Sequence, residues 1–251
     1  QTFSIEASIT DLNGQQVSGR VSVIVHQGSY YIGIAPQDYV GVAGKPMGFD
    51  LRSVDWQGDP SGQRNIGVVF YQREWFNVQE KDDIGNIFWT YSFSDTAVFT
   101  TSTTTNEGGE GSVSFAPPVG GEYHVVATGK DENGNSIRSA TGVWVSSQDY
   151  ISWRQENNDR IQLVADKKAY NPGDTAKILV PSPYQGKVKA LVTVERGRIL
   201  TSKVIDLQTN SAVIEIPITP DMAPNAFVSV VIVKGINETN LAPSFKMGYA
   251  S

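Results

Sequence analysis

The 251-residue chain contains no cysteine. That removes disulfides, thiolate metal sites and cysteine nucleophiles together, while leaving the compartment open. There are only two histidines, His26 and His124, and no Gly-x-Ser-x-Gly elbow. Serine-triad chemistry needs a base beside its nucleophile, and both histidines, each at a strand end, read as ordinary surface or edge residues. Long apolar runs are absent too. The longest, residues 226–233, is interrupted by Ser229 and falls far short of the roughly 20 residues a membrane helix needs. No apolar stripe at helical spacing extends beyond about two turns. Positive charge is scarce and scattered: 20 Lys and Arg stand against 26 Asp and Glu, for a net charge of −6. That balance argues against nucleic acid and anionic membranes as partners. Gly44-Lys45 leads into Pro46, where a phosphate loop requires Ser or Thr.

What the chain does have is a hairpin written twice. Residues 2–25 (TFSIEASITDLNGQQVSGRVSVIV) align without a gap on residues 122–145 (EYHVVATGKDENGNSIRSATGVWV) at an offset of 120. A self-match at constant offset marks a repeated structural unit. Ile5, Ala7 and Ile9 alternate before the Asn13-Gly14 pair, and Val21, Val23 and Val25 after it. Alternation at period two gives strands with one buried face. Asn-Gly predicts a two-residue turn with both central residues at positive φ. The Asp-x-Asn-Gly string lacks the sixth-position Gly and twelfth-position Glu of a calcium loop.

The 24 Gly and 12 Pro punctuate further short strands. Expected strands fall at residues 30–35, 47–54, 66–78, 86–93, 98–105 and 111–116, before the repeated hairpin. A second series follows at 160–165, 176–180, 188–195, 199–207, 212–218, 226–234 and 245–249. Two sandwiches of roughly 100 residues fit the length. The expected fold is therefore all-β: tandem fibronectin/Ig-like antiparallel β-sandwiches. The expected division is 1–27 as the C-terminal hairpin of a truncated preceding domain, 28–147 as one sandwich and 148–251 as another. A lone hairpin is marginal in water, so residues 1–27 are expected to pack on the neighbouring domain or on another copy. Because the chain opens inside a strand pattern, it reads as a piece of a longer protein.

Several strings in the last unit carry a resemblance. One is Asp166-Lys-Lys-Ala-Tyr170-Asn-Pro172-Gly173-Asp174. Another is Ser182-Pro183-Tyr184-Gln185-Gly186, followed by Ala190 to Arg196. The third is Ile214-Glu-Ile-Pro217, followed by Ala223-Pro224-Asn225-Ala226-Phe227-Val228-Ser229-Val230. In this order they resemble a macroglobulin domain of bacterial alpha-2-macroglobulins, just upstream of or entering the bait-region portion. The resemblance implies a non-catalytic piece of a broad-spectrum protease-trapping inhibitor, without a cofactor. Its partners would be other domains of the same chain, and target proteases held by the whole molecule. It further implies an extracytoplasmic location in a bacterium. Without Cys, this stretch contains no thioester.

Few residues suggest chemistry of their own. Glu80, Asp82 and Asp83 share a hairpin tip with Lys81, which reads as a solvated turn. Glu195 beside Arg196 reads as a cross-strand ion pair. Asn237-Glu238-Thr239 is a formal glycosylation acceptor. The one candidate interaction patch is aromatic: Tyr71, Trp75, Trp89 and Tyr91, flanking one long hairpin. Alternation puts Tyr71 and Trp75 on one face, opposite Phe70 and Phe76. If one face is core, the other exposes large rings, as an interface or a sugar platform does. The alternative function is then a carbohydrate- or protein-binding module of a surface protein or secreted glycanase. The bland reading is that loops or a neighbouring domain cover both faces.

Overall fold

The computed structural model describes residues 2–236 and 243–251. The glycosylation acceptor at Asn237 lies outside the described residues. Among the described residues, apart from one 3₁₀ turn, Pro220–Met222, the regular structure is β-strand.

Strands β1 (Thr2–Thr10) and β2 (Gln16–Ile24) form an isolated two-stranded hairpin. The first sandwich follows. Its small sheet is β3 (Tyr31–Pro36), β5 (Met47–Val54) and β8 (Glu110–Phe115), in that order. Its large sheet is ordered β4 (Val40–Val42), β10 (Ser136–Ser146), β9 (Gly121–Lys130), β6 (Asn65–Lys81) and β7 (Ile87–Thr104). The second sandwich repeats the plan. Its small sheet is β11 (Val164–Ala165), β12 (Thr175–Pro181) and β15 (Ser211–Pro217). Its large sheet is ordered β14 (Ile199–Leu207), β13 (Val188–Glu195), β16 (Phe227–Lys234) and β17 (Ser244–Ala250). Strand for strand the order is the same, with β4 as the one addition. It is the seven-stranded fibronectin-like arrangement.

The alternation in the sequence explains the cores. Met47, Phe49, Leu51 and Ser53 of β5 point inward, and Gly48, Asp50 and Arg52 point out. Ile66, Val68 and Phe70 of β6 meet Tyr123, Val125 and Ala127 of β9 in the same layer. Phe70 sits 4.5 Å from Phe115 and 5.1 Å from Phe49, ring centre to ring centre. Fully burying side chains of this size stabilises by about 1.5–3 kcal/mol each. The second core is aliphatic, built on Val180, Ala190, Leu207, Val230 and Ile232.

The structure differs from the sequence reading in several places. The Asn-Gly turns are not two-residue turns with two positive φ values. Gly14 and Gly134 have φ of 77° and 80°, whereas the only positive-φ residue other than glycine among the described residues is Gln63. The aspartate three positions earlier dictates the shape. Asp11 Oδ1 accepts the N–H groups of Asn13 and Gln15 at 2.8 and 2.9 Å. Asp131 Oδ1 does the same for Asn133 and Asn135 at 3.0 and 2.8 Å. Asp82 repeats it for Ile84 and Asn86 at the tip of β6–β7. Each is a three-residue loop closed by a left-handed glycine. The strands expected at 86–93 and 98–105 are one continuous strand, β7, with the register slipping opposite Phe70/Tyr71. Arg73, paired opposite Asp95, holds the ribbon together where a break was expected. Only Val164 and Ala165 of the stretch 160–165 form a strand. Glu195 accepts from Thr193 Oγ1 rather than pairing with Arg196, whose Nη1 donates to the Asp221 carbonyl.

The first hairpin does not pack on its neighbour. Every residue of β1 and β2 is exposed. Yet its apolar face matches, residue for residue, the buried face of β9–β10. Phe3, Ile5, Val17 and Val23 stand 120 positions before Tyr123, Val125, Ile137 and Val143, all of which are core.

Candidate functional site

Three of the four aromatic candidates, Trp75, Trp89 and Tyr91, contact the connector at the joint between the two sandwiches. Beyond Arg73, β6 runs past its partner β9, so the distal half of the β6–β7 ribbon projects from the first sandwich. The connector after β10, residues 147–163, crosses this projection as a strap. Ser152 Oγ donates to the Trp75 carbonyl at 2.7 Å. Asn77 Nδ2 donates to the Trp153 carbonyl at 2.8 Å, and Asn77 Oδ1 accepts from the Gln155 N–H at 2.9 Å. At the far edge, Asn157 engages both backbone groups of Trp89. Its Oδ1 accepts the Trp89 N–H at 2.5 Å, and its Nδ2 donates to the Trp89 carbonyl at 2.7 Å. The strap then joins β17, where Ile161 N–H donates to the Met247 carbonyl at 2.8 Å. A ribbon of one sandwich is thereby tied to an edge strand of the other.

Two of the four aromatic side chains, Trp75 and Tyr91, meet side chains of this strap. Trp75 is only 7 % exposed. Its indole N–H donates to Glu122 Oε2 at 2.9 Å, and its ring meets Tyr91 edge-on at 5.7 Å. Arg154, from the strap, lies 4.2 Å over the Tyr91 ring and 5.7 Å from Trp75, and donates to the Tyr91 hydroxyl at 2.5 Å. Such cation–π contacts hold about 0.5–2 kcal/mol each. Trp89 is half-buried, and so is Tyr71, which lies between Ala97 and His124 in the sheet. The four candidates therefore do not form one open platform. Trp75 and Tyr91 touch, Trp89 is held through its backbone, and Tyr71 belongs to the sheet.

Asp95, Arg73, Glu122 and Trp144 line up across four strands on the same face. Arg73 grips Asp95 with two donors, at 2.8 and 2.7 Å. That guanidinium holds the Asp95 carboxyl below the usual carboxylate range. With the strap and with Met247 and Tyr249 opposite, Arg73, Glu122 and Trp144 of this row line a cleft of about 610 Å³ between the sandwiches.

Deeper in the joint is a third apolar core. Ile151 and Trp153 of the strap meet Val164 and Leu179, with Tyr39, Val40, Trp144 and Val213 packed against them. Asn210 is its polar pin. Its Oδ1 accepts the Ile151 N–H at 3.1 Å, its Nδ2 donates to the Ile151 carbonyl at 2.7 Å, and its own carbonyl accepts Trp153 Nε1 at 2.7 Å. Ser211 Oγ bonds both the N–H and the carbonyl of Ser147. Sequence reasoning missed Asn77, Asn157 and Asn210. Ile151 and Trp153 in an otherwise polar connector were the one signal available. Among the described residues no cluster of His, Cys, Asp or Glu could hold a metal ion. His26 lies tilted against Trp56 at 5.8 Å, ring centre to ring centre, and its Nδ1 shares a hydrogen bond with the Tyr31 hydroxyl.

This architecture has counterparts among known proteins. The family model "Alpha-2-macroglobulin bait region domain" matches residues 161–249, the second sandwich. An alpha-2-macroglobulin homolog of Nostoc sp. is 22% identical over 233 residues, covering 93% of this chain and 12% of that protein. The second sandwich is thus similar to the alpha-2-macroglobulin bait region domain, and the chain along most of its length to an alpha-2-macroglobulin homolog. An alpha-2-macroglobulin of Xylella fastidiosa is 31% identical over 96 residues, which is 36% of this chain and 6% of that one. Among solved structures, a Salmonella alpha-2-macroglobulin reacted with methylamine is 20% identical with a TM-score of 0.43, covering 99% of this chain and 16% of its own. The native Escherichia coli protein is 19% identical with a TM-score of 0.44, covering 99% and 16%. The chain thus spans a small fraction of the length of its alpha-2-macroglobulin relatives. Among the described residues no helix is long and apolar enough to cross a membrane.

Proposed function

We propose that this chain is a non-catalytic scaffold section of a bacterial, extracytoplasmic alpha-2-macroglobulin-like protease trap. Its units would be the closing hairpin of a preceding sandwich (1–27), one complete sandwich (28–147) and the bait-region sandwich (148–251). The observation that carries this reading is the joint. A strap, three asparagine side chains and a buried Trp153 tie the sandwich matched by the bait-region model to the one before it. A ribbon clasped at both edges resists bending. A displacement starting in the bait-region sandwich would pass to its neighbour as a rigid-body rotation, a common form of switching.

The partners under this reading are the other domains of the same full-length chain, and proteases held by the assembled molecule. The direct test is to incubate the full-length protein with trypsin. Trapping leaves the protease active on a small chromogenic peptide while its digestion of casein falls sharply. Undiminished casein digestion at stoichiometric excess of the protein would refute trapping.

A further inference from the structure

The cleft between the sandwiches holds one cation that the protein leaves unmatched. Three guanidiniums line it, those of Arg73, Arg154 and Arg160, against two carboxylates, Glu122 and Glu156. Arg73 is held by Asp95, and Arg154 lies 3.2 Å from Glu156. Glu122 accepts the Trp75 indole N–H and stands opposite Arg73 in the sheet. Arg160 has no ion-pair partner among the described residues. Its backbone is nevertheless fixed. It bridges to Met247 of β17, and its N–H donates to Asn158 Oδ1 at 2.8 Å. The free guanidinium thus stands at the cleft wall on a pinned stretch of the strap. Much of the remaining wall is aromatic. Trp75, Trp144 and Trp153 line it, together with Tyr249, which is 65% exposed.

We infer that this cleft binds a small organic acid: one carboxylate on an aromatic body, the carboxylate held by Arg160 and the ring by the aromatic wall. Size, charge and shape select this ligand class. A volume of about 610 Å³ falls in the range of small-molecule sites, roughly 300–1,000 Å³. One unmatched guanidinium calls for one carboxylate, which its fork of N–H donors grips with two parallel hydrogen bonds. A cationic ligand would meet three guanidiniums, and a polyanion would meet Glu122 and Glu156. A ligand without charge would take water from Arg160 and put no acceptor in its place. An aromatic body pairs with the rings of the wall edge-on or offset. The walls come from both sandwiches and the strap, so the site exists only where the joint is formed. The inference uses the cleft alone and does not rest on the trapping proposal.

The test is calorimetric titration of the 251-residue chain with 2-naphthoate at neutral pH. Two comparators separate its parts: 2-naphthalenemethanol keeps the ring without the charge, and acetate keeps the charge without the ring. Naphthoate is expected to bind one per chain with a Kd below about 1 mM, and both comparators about tenfold more weakly or worse. Arg160→Ala should weaken naphthoate about tenfold, the effect of losing a charge-assisted hydrogen bond. Tyr249→Ala should weaken it about threefold. Arg160 and Tyr249 are both exposed, so unchanged thermal midpoints report that the variants fold. Arg198→Ala, at the β13–β14 tip, removes an equal charge outside the cleft and should bind as wild type does. A wild-type Kd above about 1 mM would overturn the inference. So would a comparator that binds as tightly as naphthoate, or wild-type affinity in Arg160→Ala or Tyr249→Ala. A loss in Arg198→Ala equal to that in Arg160→Ala would also overturn it, because the attraction would then be a general one to the surface.

Discussion

At the scale of single residues, the molecule is held by carboxylates used as turn-makers and clamps. The Asp82 carboxyl is held low by the side-chain amide of Asn86, and the Asp131 carboxyl by that of Asn135. Arg64 lowers Glu132, and Arg73 lowers Asp95. All four groups therefore bind protons more weakly in the folded state than in the unfolded chain, where carboxyls titrate near about 4. Stability from these groups is fully present above that value. It is lost as the pH falls through the depressed native values, since the unfolded chain then takes up the protons first. Urea midpoints measured from pH 6 to pH 2 are expected to fall steeply below about pH 4. Asp131→Asn keeps an acceptor for the Asn133 and Asn135 N–H groups but cannot ionise. It is expected to be less stable at neutral pH and to show a shallower acid limb. An acid limb as steep as wild type would remove Asp131 from this account.

At the scale of elements, two copies of one hairpin sit in opposite circumstances, and that separates local from tertiary stability. Gly134 and Gly14 occupy the same left-handed position. No atom lies within 4 Å of a Cβ built on either one, so the cost of alanine is conformational, about 1–2 kcal/mol. Gly134→Ala should lower the thermal midpoint of the first sandwich by several degrees, because β9–β10 is part of its core. Gly14→Ala should leave that midpoint unchanged and alter only local exchange at Asp11 and Gln15, because β1–β2 joins no core here. Equal shifts would show the first hairpin cooperating with the sandwich after all. This contrast also marks what the sequence could reveal. Alternation places β5, β13 and β14 to the residue, because period two is a local property that burial on one face preserves. Turn shape depends on where an aspartate oxygen points, which an Asn-Gly pair does not encode. The continuity of β7 depends on Arg73 reaching Asp95 across the ribbon. The strap was the hardest part to read: Asn77, Asn157 and Asn210 gain their roles from which backbone groups the tertiary register leaves open, and nothing in their sequence neighbourhoods distinguishes them.

At the scale of the whole molecule, the question is whether two sandwiches behave as one body. Domains joined by a polar linker commonly move independently, but here the linker itself supplies a core. Trp153 is 6% exposed, donates its indole N–H to the Asn210 carbonyl and packs with Ile151, Val164 and Leu179. Trp153→Ala removes a ring whose loss from a core costs about 3–5 kcal/mol, and it leaves the buried Asn210 carbonyl with the Ser182 N–H as its remaining partner. That cost falls almost wholly on the joint, since Trp153 belongs to neither sandwich's own core. If the joint couples the two bodies, calorimetry of wild-type protein gives one cooperative transition over both sandwiches, and Trp153→Ala splits it into two. Each sandwich should then melt near its own midpoint, with far-UV circular dichroism at low temperature unchanged. Two transitions in the wild type would mean that the joint core, for all its burial, is too small to tie the sandwiches together, and a rigid-body rotation could not then be passed through the strap.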